Sequence, residues 1–229
     1  MERRRRFYLV GTKVNIEKKL GQIWIGPRPA PIQWMHTWRD KHPDWEYTIF
    51  TDEMLKSRKW HNQHLIEHYY NTGKFPGVSD LIRYELLYEH GGFWPEADMT
   101  CLENTEELFT SPENYAYSCY ENEKLPTPNI QPIMAANPEN VFVKYVIDTL
   151  RKLKATDLKP EPFRSTGNLF LSQHHPSFKD MITIWPSHYF IPLFYIGGAK
   201  RYDGPDKVFA DHKWGSTGHA NSVTYDKGI

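Results

Sequence analysis

The chain has 229 residues, enough for one large domain or two small ones. Its 28 Lys and Arg balance 28 Asp and Glu, which excludes the basic surplus expected of a protein built around nucleic acid. Aromatic residues reach 15%, with 8 Trp, 14 Tyr and 12 Phe, which excludes a disordered chain and predicts a core rich in rings rather than aliphatic side chains. Cys101 and Cys119 are too few for a disulfide framework and read as reduced thiols.

Residues 1–18 read as a basic N-terminal arm, with an arginine run at 3–6, or as a first strand. The apolar stretch after that run is too short for a signal peptide, and no segment approaches the ~18 apolar residues of a membrane-spanning helix. The expectation is a soluble, cytoplasmic protein. Residues 20–25 read as a short buried strand, stopped by Gly26 and Pro27. Residues 32–39 place Trp34, Met35 and Trp38 at helical spacing, and residues 45–50 read as a second strand. Thr51 is expected to cap a following helix through its hydroxyl. His61, His64 and His68 share one helical face. That spacing suits a zinc site, but Trp60, Leu65 and Tyr69 beside them favour an ordinary half-buried face. Ser79 is expected to cap a helix over residues 80–89, with Leu81, Ile82, Leu86 and Leu87 as its apolar stripe. Gly91 and Gly92 end it, and Phe93-Trp94 open a short strand. Further strands are expected over 115–120, 130–136 and 181–185, with helices over 141–153 and 168–174. From Gly197 onward the chain reads as loop. The alternation predicts an α/β fold: a mixed central sheet flanked by helices.

The chemistry concentrates in residues 79–98. Glu96 and Asp98 stand at i and i+2 of a chain expected to be extended, so their carboxylates point the same way. Such a pair suits a hard divalent cation with positions left for phosphate oxygens and water. Asp80 and Arg83 lie three apart on one helix face. An Asp there can bind a sugar hydroxyl, and an Arg can grip phosphate with its planar fork; alone, the two read equally as a local ion pair. Trp24 at a strand end offers a stacking face for a base, or an ordinary core ring. His212 and Lys213 lie in a polar tail that reads as a lid over an anionic ligand, with His212 as a late metal ligand, or as a plain surface loop.

Taken together these residues resemble a known family. Gln22-Ile23-Trp24-Ile25-Gly26, then Ser79-Asp80-x-x-Arg83-Tyr84, then Gly91-Gly92-Phe93-Trp94-x-Glu96-Ala97-Asp98 match, in order and spacing, the DxD-containing sugar transferases. That family includes the fungal initiating mannosyltransferase and the capsular polysaccharide transferases, and more distantly the large glucosylating cytotoxins. The resemblance extends over about residues 19–216, through the early loop at 38–47, the segment 132–143 and the turn Thr166-Gly167-Asn168. It implies a single GT-A domain over 19–217, followed by a C-terminal tail at 218–229. It also implies a nucleotide-sugar donor, UDP- or GDP-linked, a glycan or glycoconjugate acceptor, Mn²⁺ or Mg²⁺ as cofactor, and transfer with retention. A microbial or viral glycan-building enzyme is the expected type.

Carried over to this sequence, the resemblance has Trp24 and Ile25 hold the base, and Asp80 and Arg83 contact the donor sugar. Asp98, Glu96 and His212 hold the metal, while Trp94, Ala97, Lys213 and Ser216 complete the donor site. This chain departs from the family pattern in three places. Glu96 stands where the family has Asp, Pro95 replaces an aliphatic residue, and the closing loop lacks its final Trp. Two other readings stay open at this level. One is a non-catalytic nucleotide-sugar or carbohydrate binder on the same fold, and the other is a metal-dependent phosphoesterase. Acceptor choice is expected to lie in the loops at 122–131 and 154–164.

Overall fold

A computed structural model describes residues 14–112, 114–126 and 128–215. The arginine run at 3–6, Ser216 and the tail at 218–229 lie outside them. In chain order the elements are β1 (Lys19–Ile23), α1 (Ile32–Lys41), β2 (Glu46–Phe50), α2 (Asp52–Lys56), α3 (Gln63–Asn71) and α4 (Phe75–His90). Then follow β3 (Gly92–Trp94), β4 (Met99–Cys101), β5 (Ala116–Tyr120), β6 (Ile130–Ala136) and α5 (Val141–Leu150). The last are α6 (Pro162–Ser165), α7 (Asn168–His174), β7 (Ile182–Trp185) and β8 (Ala210–His212).

Six strands form one sheet in the order β2-β1-β3-β6-β5-β7. It is mixed, as expected: β2, β1 and β3 run parallel, β6 is antiparallel to both β3 and β5, and β7 is parallel to β5. β4 and β8 form a separate antiparallel pair, with Met99 opposite His212.

Two apolar clusters flank the sheet, and they differ in chemistry. The cluster under α3, α4 and α5 is mainly aliphatic, with Leu65, Val78, Leu81, Ile82, Leu87 and Val146 buried. The other is a stack of rings: Trp38, Trp45, Phe93, Phe109, Tyr117, Trp185 and Phe190. Rings meet edge to face at 5–6 Å spacings there, as at Phe93 and Trp38 (5.5 Å), a geometry that adds to plain burial. Rings such as Trp60, Tyr84 and Phe142 also enter the aliphatic cluster, but only on this face do they make up half of the buried residues. Trp185 is stacked on Tyr117 inside it and offers no surface for a sugar ring.

The α4–β3 junction carries the tightest backbone requirement. Gly91 and Gly92 both have positive φ, 65° and 84°, a region that side-chain-bearing residues seldom adopt. A Cβ on Gly92 would lie 2.3 Å from the Lys19 carbonyl oxygen. This turn reverses a buried helix into the centre of the sheet and aims the residues after Trp94 at the site.

Several sequence expectations shift. α4 begins at Phe75, one turn before the expected start, because Pro76 suits the first helical turn and Gly77 lets Tyr69 and Pro162 approach. Ser79 is therefore an interior residue, not a cap. Thr51 stands at the cap position of α2, but its hydroxyl makes no capping hydrogen bond. α3 begins at Gln63, so His61 lies before it; His64 Nε2 donates to the Leu153 carbonyl and His61 lies 3.6 Å from Asp148, and His61, His64 and His68 form no metal cluster. Residues 210–212 form a strand where a loop was expected. No helix among the described residues is long and apolar enough to cross a membrane.

Candidate active site

A cleft of about 370 Å³ opens beyond β1 and the N-terminal half of α4. Trp24, Ile25 and Arg28 line one side, Asp80 and Arg83 the back, and Glu96, Ala97 and Asp98 the floor. Trp24 is half-buried at its edge, with its indole N–H on the Arg28 carbonyl at 2.7 Å. The loop carrying Ile25 is pinned where the Gly26 N–H meets Asp52 Oδ2 at 2.9 Å. Trp94 is not part of the cleft. Its ring lies against Gly21 and its N–H binds the Gly91 carbonyl, so this strand position faces the core.

Asp80 and Arg83 sit one helical turn apart, and Arg83 Nη1 meets Asp80 Oδ1 at 3.3 Å. Asp80 Oδ2 also accepts from the Thr166 hydroxyl at 3.2 Å. Burial raises Asp80 to about 7, against the pull of Arg83. Arg83 is itself buried, and its Nε has no hydrogen-bond partner. A guanidinium kept out of water with one donor unspent is prepared for an anion in the cleft.

Glu96 and Asp98 do not extend a strand, as their spacing suggested. They flank the turn between β3 and β4, and the turn, not a pleat, brings them together. Glu96 Oε2 accepts from His212 Nε2 at 2.8 Å and from Gln131 Nε2 at 2.7 Å, while Arg83 Nη2 lies 3.8 Å from Oε1. Asp98 Oδ2 accepts from the Gly215 N–H at 3.0 Å, and its Oδ1 lies 3.7 Å from His212 Nε2. The register that sets Met99 opposite His212 delivers the imidazole beside Asp98, although Glu96 and His212 are 116 residues apart. Glu96, Asp98 and His212 are the one metal-capable cluster of three acidic, His or Cys side chains found among the described residues.

The three groups share their charges. Burial alone would raise Glu96, but the hydrogen bond and charge of His212, with Arg83 behind, hold it down at about 2. Burial raises Asp98, with the neighbouring Glu96 adding to the effect. Burial opposes the charged form of His212, yet Asp98 and Glu96 outweigh it and raise the ring. A backbone N–H can only donate, so the Trp214 amide on Nδ1 at 3.0 Å favours the neutral ring with its proton on Nε2, toward Glu96, and opposes the second proton that the two carboxylates attract. Trp214 adopts φ 55°, unusual for a bulky residue, and stacks on the imidazole at 4.0 Å. That ring is therefore a buried backing for His212, not a surface for sugar. Lys213 Nζ pairs with Asp211 at 2.6 Å and its amide with the Asp98 carbonyl, so its charge is already partnered.

Four polar residues at this site carried no sequence expectation of a role. Gln22, in the apolar run of β1, donates to the Glu96 carbonyl at 3.0 Å. Gln131 sits among apolar residues of β6, and Asn168 starts α7. Glu121, just after β5, is buried, and burial raises its pKa. A lone amide inside an apolar strand was the readable signal for Gln22 and Gln131, because a buried amide must find partners.

Comparison with known proteins bears on the fold and on the motif region. Residues 31–115 match the glycosyltransferase sugar-binding region containing the DXD motif. Inositol phosphoceramide mannosyltransferase 1 of Schizosaccharomyces pombe is 26% identical over 232 residues, 93% of this chain and 65% of that protein. The chain thus spans just under two thirds of that relative's length. Among solved structures, the PaToxG glycosyltransferase superposes with a TM-score of 0.57 at 14% identity, covering 71% of this chain and 70% of that one. The UDP-bound glycosyltransferase domain of the YGT toxin gives 0.51 at 11% identity, covering 75% and 80%. In its motif region and its relatives the chain resembles the DXD-containing glycosyltransferases, and its fold is that of their GT-A domains.

Proposed function

We propose that this chain transfers a sugar from a UDP- or GDP-linked donor to a hydroxyl of a glycan or glycoconjugate, with a divalent metal and with retention at the anomeric carbon. The observation that carries this reading is the convergence of Glu96, Asp98 and Arg83 on one cleft whose rim is Trp24. The base would stack on Trp24 and lie along Ile25. Arg83 would take its unspent donor to the diphosphate, and Asp80 would accept from a donor-sugar hydroxyl.

The donor set fits a hard cation such as Mn²⁺ or Mg²⁺. Hydrogen bonds from His212, Gln131 and Gly215 engage Glu96 Oε2 and Asp98 Oδ2, which leaves Glu96 Oε1 and Asp98 Oδ1 for the metal. A nearby cation would supply positive charge to the leaving diphosphate. His212 in this arrangement orients Glu96. To become a ligand through Nε2 it would have to carry its proton on Nδ1, and the Trp214 amide would have to turn away. Lys213 is a proposed closing residue that would first have to leave Asp211, and Ser216, outside the described residues, is proposed as the second.

In the transfer itself, the bond from the anomeric carbon to the diphosphate oxygen breaks. The acceptor oxygen bonds that carbon from the same face, and its proton passes to the departing diphosphate. Each buried carboxylate at the site already holds donors: Asp80 from Thr166 and Arg83, Glu96 from His212 and Gln131, Asp98 from Gly215. With Glu96 and Asp98 given to the metal in this reading, and Asp80 tied to Thr166 and Arg83, no carboxylate of the cleft is assigned as nucleophile, and the proposed route draws on the leaving group instead. Isothermal titration with UDP- and GDP-sugars, with and without Mn²⁺, tests the reading. Binding by one donor, strengthened by Mn²⁺ and lost in Asp98→Ala, is expected. No binding by any donor, or binding unchanged in Asp98→Ala, overturns it.

A further inference from the structure

Glu121 is buried behind the site, away from the proposed donor contacts, and it holds donors at both oxygens. Asn129 Nδ2 donates to Oε2 at 3.2 Å and Asn168 Nδ2 to Oε1 at 3.0 Å. The same Asn168 nitrogen donates its other hydrogen to Gln131 Oε1. Gln131 then turns its own NH₂ to Glu96 Oε2 at 2.7 Å. These four side chains form one directed relay, Glu121–Asn168–Gln131–Glu96.

The direction is set at the far end. A carboxylate only accepts, so Asn168 must face Glu121 with its NH₂. That NH₂ also faces Gln131, which must therefore present its carbonyl to Asn168 and its NH₂ to Glu96. Reversing either amide would set two acceptors or two donors face to face. The relay is held from both sides of the site. Ser172 accepts from the Ile130 N–H at 2.8 Å, tying α7 to the start of β6, and the Glu121 amide donates to the Asn129 carbonyl at 2.8 Å.

We infer that Glu121 and Asn168 are positioning residues that, through Gln131, fix the Glu96 carboxylate in the orientation that receives a divalent cation. This rests on the metal-dependent reading above. Groups that hydrogen-bond a metal ligand commonly change metal affinity by about 10- to 100-fold when removed. The relay also joins Glu96 to the ends of the 122–128 loop, so that segment and the metal corner share one hydrogen-bonded path.

The test is Mn²⁺ titration of the full chain, followed by the free-ion EPR signal, with Mn²⁺ alone and with UDP or GDP present. Thermal unfolding of each variant is recorded alongside. Asn168→Ala and Glu121→Ala are each expected to weaken Mn²⁺ binding by about 10- to 100-fold. Glu121→Gln keeps an acceptor for Asn168 and is expected to stay within about threefold of the wild type, well short of that loss. His174→Ala removes the ring that meets the Tyr145 hydroxyl at 3.0 Å and packs on Phe170, which loosens the same helix away from the relay; it is expected to lower stability but keep Mn²⁺ affinity. Wild-type affinity in Asn168→Ala overturns the inference. An equal loss in His174→Ala does so too, since it would mark a general effect of loosening α7. If Glu121→Ala does not fold, the contrast between Asn168→Ala and His174→Ala decides alone. A wild-type chain that binds no Mn²⁺ under any of these conditions overturns both this inference and the metal-dependent reading. Wild-type binding with unaffected variants overturns this inference only.

Discussion

The two walls of the cleft are built in opposite ways. The Asp80–Arg83 wall comes from one turn of one helix: three residues of spacing and a buried backbone are enough to pair the side chains. The Glu96–Asp98–His212 corner is assembled from a turn after β3 and from β8, more than a hundred residues later. The first wall forms with α4. The second exists only once β8 has paired with β4, so local loosening should reach the metal corner before it reaches the donor wall.

The largest expected effect separates the corner from the fold. If the proposed metal-dependent reading holds, Asp98→Ala should lower transfer by about 100-fold or more, because several kcal/mol of charge stabilisation would depend on the metal. Far-UV circular dichroism and the urea midpoint should change far less than the rate. A variant that keeps Mn²⁺-dependent transfer would show that the corner does not hold the metal.

The helix wall should break differently. Arg83→Ala leaves Asp80 buried beside nothing positive from its own helix and should cost about 3–5 kcal/mol in urea unfolding. The double variant Asp80→Asn, Arg83→Met should recover most of that stability yet fail to bind donor in titration. Recovery of donor binding along with stability would reduce the pair to a structural role.

Trp24→Ala sharpens the contrast between rim and floor. Nucleotide binding should weaken by about tenfold, the value of one ring stack, while Mn²⁺-dependent protection stays intact. Equal binding of UDP or GDP by the variant in titration would remove Trp24 from the base site.

The smallest effect tests a polar anchor far from the chemistry. His42 is buried, its Nδ1–H donates to the Trp38 carbonyl, and its Nε2 accepts from the Thr105 N–H at 3.0 Å. Burial lowers its pKa below 6.5, and a second ring proton would oppose the Thr105 amide. The unfolded chain therefore binds more protons than the folded one just below pH 6.5. Stability from this residue is present above that pH and lost as pH falls through the lowered folded value. Urea midpoints at pH 7.5 and 5.5 should show a drop that His42→Gln shares less. An equal drop in both would assign the acid effect elsewhere.

Legibility followed distance along the chain. β1, α1, β2, β5, β6, α5, α7 and β7 were readable because apolar spacing and glycine or proline stops act within ten residues. Asp80 with Arg83, and Glu96 with Asp98, were readable for the same reason. Trp94 was expected in the donor site and is core, because a motif shows that a Trp is present but not which side of a strand it occupies. The start of α4 was missed because Pro76 and Gly77 read as loop until Tyr69 and Pro162 pack against them.

The set of ligand-like side chains, and the α/β order that presents most of them, can be read along the chain. Which oxygen each group offers depends on the assembled fold. His212 meets Glu96 through a three-residue strand too short to carry a periodic signal, and Gln131, Asn168 and Glu121 become one relay only when β5, β6 and α7 come together. Hydrogen-bond direction is a property of assembled neighbours: burial demands that every donor find an acceptor, and the demand is met across the fold, not along the chain.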